Sequence, residues 1–182
     1  MSAAVRAPDV HARALAALNA LSTAEAEAAL LRCCGSSRWA RLMAVMRPFH
    51  TKEALTDSAA DVWQALAPQD WLQAFAAHPR IGAAPGANGP RAQSWSAREQ
   101  SGITTADAVV RRELERLNAE YESRFGHRFI VCATGLSAEE MLSSLKSRVS
   151  GDPSQELRIA AAEQAGITEL RLEKLLTELA EA

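Results

Sequence analysis

Apolar residues recur along this chain at helical spacing. Val110, Leu114, Leu117, Tyr121 and Phe125 step by four, three, four and four before Gly126, the stripe of a long amphipathic helix that stops at a glycine. Met141, Leu142, Leu145 and Val149 form a second stripe, and Leu172, Leu175, Leu176 and Leu179 a third. Trp39, Leu42, Met43 and Met46 make an earlier one, which Pro48 closes. The polar residues between the stripes supply the starts. "STAE" (Ser22 to Glu25), "SARE" (Ser96 to Glu99) and "SAEE" (Ser137 to Glu140) have the capping-box form, a hydroxyl followed three residues later by a carboxylate. "DPSQ" offers Asp152 as a cap and Pro153 at the first helical position, and Thr168 reads as the cap of a final helix. The pattern predicts an all-α fold, one compact domain over residues 1–182, with about eight to ten helices packed through their stripes.

Two segments break the helical pattern. Residues 81–96, "IGAAPGANGPRAQSWS", hold Pro85, Gly86, Asn88, Gly89 and Pro90 and read as a long loop, a class often kept for function. Residues 129–135, "FIVCATG", form a short apolar run that looks locally like a strand but has no second run to pair with. Its core, 129–133, is expected to be a buried extended connector, whose backbone amides and carbonyls need other partners; a polar ligand is one candidate.

Charge and composition narrow the functional classes. The 182 residues carry 20 basic and 22 acidic side chains, interspersed, so no field exists to hold a polyanion and nucleic acid is not an expected partner. No apolar run approaches the roughly 20 residues that span a bilayer, and neither end carries a targeting signature, so no membrane partner is expected. The three cysteines, Cys33, Cys34 and Cys132, match neither a zinc site nor a disulfide framework and point to a reduced, cytoplasmic chain. Phosphate-loop, nucleophile-elbow and HExxH signatures are absent.

Three residues stand out for chemistry. In "AFAAHPRIGA" (74–83), Pro79 disfavours the α conformation at His78, so a helix ends there and leaves an imidazole at its C-terminus, where the dipole favours the protonated form. His78 is then either a terminal cation against the last carbonyls or a proton-transfer group. Glu99 either completes the capping box with Ser96 or is a side chain delivered by the long loop, since Gln100, Ser101 and Gly102 close that helix almost at once. Arg171, three residues after Thr168, opposes the dipole of a first turn and calls for a carboxylate partner or an anionic ligand. Cys132 in its apolar run reads as inert, and Arg47 in "MRPF", at another proline-stopped corner, receives no chemical role.

Read in order, the stretches "SSRWARLMAVMRPF" (36–49), "HPRIG" (78–82), "WSAREQSG" (95–102), "YESRFGHRFIVCATG" (121–135), "EEMLSSLKSR" (139–148) and "ELRIAAAEQAGITELRLEKLL" (156–176) resemble the OHCU decarboxylases, which act on 2-oxo-4-hydroxy-4-carboxy-5-ureidoimidazoline in urate breakdown. The resemblance implies an all-α homodimer without a cofactor or a metal. It implies loss of the substrate's carboxylate as CO2 and stereospecific protonation to (S)-allantoin. It further implies His78 as proton donor with Glu99 as its catalytic companion. Pro79, Ser96, Gln100, Arg171 and the connector residues Phe129, Ile130, Val131, Cys132 and Ala133 are then substrate contacts. Gly151 and Gly166 stand where the family pattern has asparagine and lysine. The competing class is a non-catalytic helical module that binds a ureide or a protein partner; a partner-binding module would show an exposed apolar helix face and no polar pocket around His78.

Overall fold

The computed structural model describes residues 10–82, 95, 99 and 107–181. Among them are eight helices: α1 (Val10–Ala20), α2 (Thr23–Cys34), α3 (Ser37–Val45), α4 (Lys52–Ala65), α5 (Pro68–Ala76), α6 (Ala108–Phe125), α7 (Ala138–Arg148) and α8 (Pro153–Glu181). The expected caps begin them. Ser22 and Ser137 each accept from the backbone N–H three residues on, while Glu25 and Glu140 accept from the cap residue's own N–H, so both capping boxes close in full. Asp152 Oδ1 accepts from the backbone of Ser154 and Gln155 at the start of α8. Gly126, with φ of 74°, ends α6 in the left-handed conformation that glycine adopts without penalty.

The stripes bury two apolar clusters. The larger joins α1 to α5 with α8 and includes Leu18, Leu30, Trp39, Leu55, Phe75 and Leu172. The smaller joins α6 and α7 with the connector and includes Leu114, Tyr121, Phe129, Met141 and Leu145. Each fully buried leucine or phenylalanine contributes about 1.5–3 kcal/mol, so the paired clusters dominate the fold. One glycine sets how closely they can be assembled. A Cβ on Gly35, just past α2, would fall 2.7 Å from the Ala77 Cβ and 3.3 Å from the Ala74 carbonyl. Only a bare Cα lets the end of α2 sit against the end of α5.

Three expectations change. Thr168 does not begin a helix: α8 runs unbroken for 29 residues, and the Thr168 hydroxyl donates to the Gln164 carbonyl one turn back. Arg171 is therefore mid-helix, and its charge is not set against a dipole. On α3 the buried face is Trp39, Ala40, Met43 and Ala44, whereas Leu42 and Met46 are more than a third exposed; small alanines carry the close packing that the larger side chains were assigned. The connector 129–133 forms neither helix nor strand and is buried except at half-buried Cys132, and no strand occurs among the described residues. Some of its polar groups, however, have protein partners: Cys132 N donates to Glu163 Oε2 at 2.7 Å, and the Ile130 carbonyl accepts from Arg148 Nη1 at 2.8 Å.

Candidate active site

The corner at His78 is built by three elements. Pro79 stops α5, whose last turn tightens as His78 N donates to the Phe75 carbonyl at 3.2 Å. Arg128, at the head of the connector, donates through Nη1 to the Ala76 carbonyl at 3.0 Å and to the His78 carbonyl. The end of α5 is thus capped by a guanidinium, and the imidazole is left for another task. The ring is 8 % exposed, and its Nε2 lies 2.7 Å from Gln164 Oε1 on α8. Burial, reinforced by the nearby Arg171 charge and only partly offset by Gln164 and Glu99, pushes the His78 pKa down to about 4. The helix dipole therefore does not decide its charge; desolvation does, and the ligand-free ring is neutral at pH 7.

Glu99 is held from α8. Arg171 grips its carboxylate in a fork, Nε to Oε1 at 3.0 Å and Nη2 to Oε2 at 2.7 Å, and Lys174 Nζ adds 2.9 Å to Oε1. Burial alone would raise the Glu99 pKa, but the two cations outweigh it and hold the carboxyl below its ordinary value, so Glu99 is ionised. Trp95, four residues earlier in sequence, is also held from α8: its indole is buried, donates to Glu178 Oε1 at 3.1 Å, and lies under the Arg32 guanidinium at 4.4 Å. An ionised carboxylate offers about four lone-pair positions. Three are taken here, which leaves capacity for one N–H of a ligand.

His78 and Glu99 line one narrow, open pocket together with Pro79, Ile81, Phe129, Ile130, Val131, Ala133, Thr134, Ile167 and Leu170. It lies at the seam between the two apolar clusters, with Ile167 and Ile130 from one, and Ile81, Phe129 and Val131 from the other. Behind the connector a second ion pair is sealed in: Glu156 Oε1 accepts from Arg148 Nε at 2.9 Å and from the Tyr121 hydroxyl, and Arg148 also covers the Phe129 ring at 4.6 Å. This pair fixes the pocket floor without entering it.

Of the residues singled out in the sequence, the pocket gathers His78, Glu99, Pro79, Phe129, Ile130, Val131 and Ala133. Cys132 is half-buried and turned toward α8, within reach of Gly166, where a Cβ would meet its Sγ at an ordinary 3.8 Å. Arg171 does not line the pocket and acts on it through Glu99. Glu99 does not hold the imidazole; Gln164 does. Ser96 and Gln100, and with them the "SARE" capping box, lie outside the described residues. Sequence reasoning missed Gln164, Lys174, Arg128 and Thr134. A signal existed for the first two: Gln164, Thr168, Arg171 and Lys174 recur at steps of four, three and three on α8, a polar stripe running beside the leucines. No group of three potential metal ligands occurs among the described residues, and no helix there is long and apolar enough to cross a membrane.

Known proteins show the same arrangement of sequence and fold. The family profile of OHCU decarboxylase matches residues 19–173. The chain is 40 % identical over 151 residues to the uric acid degradation bifunctional protein TTL of Arabidopsis thaliana, covering 81 % of this chain and 46 % of that protein. It is 38 % identical over 85 residues to the 2-oxo-4-hydroxy-4-carboxy-5-ureidoimidazoline decarboxylase of Amia calva, covering 47 % of this chain and 49 % of that one. The chain thus spans about half the length of the curated relatives it matches. A crystal structure of an OHCU decarboxylase in the presence of (S)-allantoin superimposes with a TM-score of 0.71 at 38 % identity, covering 81 % of this chain and 96 % of that chain. With the profile matched across most of its length and the fold alike, the chain belongs to the OHCU decarboxylase family.

Proposed function

We propose that this protein decarboxylates 2-oxo-4-hydroxy-4-carboxy-5-ureidoimidazoline to (S)-allantoin, without a cofactor, in urate degradation. The observation that carries this reading is the meeting of a neutral imidazole and an ionised carboxylate with one acceptor position to spare in one narrow pocket of a chain from this family. The reaction suits those two groups. The bond from the hydroxyl-bearing carbon to its carboxylate breaks, CO2 leaves, and the electron pair forms a C=C bond to the ureido-bearing carbon as the ring C=N pair moves to its nitrogen, which takes up a proton from water. The hydroxyl then gives up its proton as the carbonyl of allantoin forms, and the ureido-bearing carbon gains one. His78, neutral at rest, takes the hydroxyl proton and returns a proton to carbon, so one ring serves as base and then as acid. Being a donor only in the second half of that sequence, it needs no charge in the ligand-free protein. Glu99 accepts an N–H of the ureido group or ring and fixes which face of the planar carbon looks at His78. That fixed face is the origin of the S product. Pro79, Ser96, Gln100, Arg171 and the connector residues Phe129 to Ala133 complete the substrate's surroundings as contacts or supports. In this reading the chain works as a cytoplasmic homodimer and a single domain.

The test is the optical activity of allantoin formed from freshly generated substrate. The purified protein should speed its appearance and bias it to the S enantiomer; racemic allantoin formed at the uncatalysed rate overturns the reading. A ureide sensor on the same scaffold would bind allantoin without turnover. A partner-binding module is disfavoured by the polar pocket around His78.

A further inference from the structure

We propose that Gln164 is a positioning residue that holds His78 in the Nε2–H tautomer and so makes Nδ1 the nitrogen that exchanges protons with the substrate. The argument starts from the amide. Gln164 is fully buried, and one end of its side chain faces the Cys34 carbonyl at 3.2 Å and the Thr168 hydroxyl at 3.1 Å. A carbonyl can only accept, so the amide nitrogen must point at Cys34. Thr168 agrees, because its own proton is committed to the Gln164 backbone carbonyl at 2.9 Å, which leaves a lone pair for the amide. With NH2 fixed on that side, Oε1 faces the ring, and an acceptor 2.7 Å from His78 Nε2 requires a proton on that nitrogen. The other nitrogen, Nδ1, makes no hydrogen bond among the described residues, yet it is not among the sealed polar atoms that lack a partner. Since Gln164 is absent from the pocket wall and His78 is part of it, Nδ1 is the ring's working edge. A neutral ring so held presents a lone pair and can act first only as a base, the order the decarboxylation requires.

The inference rests on the decarboxylase reading only for the identity of the substrate, and the experiment separates the two. In protein labelled with 15N-histidine, a long-range 1H–15N correlation at pH 7 reads the tautomer of each of the four histidines, with His78 assigned by the signal lost in His78→Asn. The ligand-free wild type should show His78 protonated at Nε2 alone. In Gln164→Met, which keeps the side chain's length and removes both amide groups, that single tautomer should give way to a mixture. The variant's kcat should fall at least about tenfold, part of the ~10²–10⁴-fold a positioned acid–base group supplies, with KM within about twofold. A wild-type ring protonated at Nδ1 overturns the proposal, and so does a Gln164→Met protein with unchanged tautomer and kcat. Should that variant not fold, the wild-type spectrum alone decides. A protein that shows the Nε2–H ring but never forms (S)-allantoin sinks the decarboxylase reading and leaves the tautomer standing.

Discussion

Glu156 and Glu99 are both buried carboxylates gripped by an arginine, yet they do different work. Glu156 is 1 % exposed and meets Arg148 and Tyr121 in a closed cluster that also engages the Ile130 carbonyl. Glu99 meets Arg171 and Lys174, but its carboxylate also forms part of a pocket wall, and Lys174 is one-third exposed. A sealed pair that loses one partner strands a charge away from water, whereas water can enter at a pocket wall. The first arrangement therefore fastens the connector to α7 and α8, and the second keeps an ionised acceptor available to a ligand. Glu156 lies on α8, and Arg171 and Lys174 hold Glu99 from the same helix, so one helix supports both a fastening and the candidate site.

The contrast is sharpest under substitution. Arg148→Met should cost about 3–5 kcal/mol in urea unfolding, the usual cost of stranding a buried charge. Glu99→Gln should cost under about 2 kcal/mol by the same measure while lowering kcat/KM for (S)-allantoin formation by about 10²-fold or more. Equal stability losses in the two variants would break the distinction.

Acid should expose the other partner in the pocket. His78 has a folded pKa of about 4 against an ordinary 6.5, so between these values the unfolded chain binds a proton that the folded chain refuses. Stability must fall as pH drops from 6.5 toward 4, by up to roughly 3 kcal/mol from this ring. Glu99, its folded pKa depressed, adds stability above its unfolded pKa that is lost as pH falls through the folded one, below the ordinary carboxylate range. Urea midpoints of the wild type and His78→Asn at pH 7, 5.5 and 4 should converge in the variant's favour as pH falls; parallel curves would deny the ring its buried, neutral state. The smallest effect belongs to Lys174→Met. Arg171 retains the fork, so stability should change by less than about 1 kcal/mol and kcat/KM by only a few-fold.

Helices α2, α6 and α7 and the start of α8 were legible because their signals are local: capping boxes at Ser22 and Ser137, the proline after Asp152, the glycine after Phe125. The break imagined at Thr168 shows where such signals mislead. A threonine inside a helix can return its hydroxyl to the carbonyl four residues back and cap nothing. The His78 corner was legible for the same local reason, since Pro79 acts on its immediate neighbour. Its charge was not, because burial by α8, 86 residues away, overrides the end of a nine-residue helix. Gln164 and Lys174 left only the trace of a polar stripe shared with Thr168 and Arg171, which names no chemistry, and only the folded chain brings Cys34, His78 and Glu99 to them.

That α8 is one rod has a geometric consequence. Gln164, which meets the imidazole, and Arg171, which meets the carboxylate, are seven residues apart on it, nearly two turns and about 10.5 Å along its axis. The separation of His78 and Glu99 is therefore gauged by the pitch of a helix rather than by the residues between them in sequence. Changes in length between residues 82 and 95 leave that gauge untouched, whereas one residue inserted between Gln164 and Arg171 turns one support about 100° away from the other.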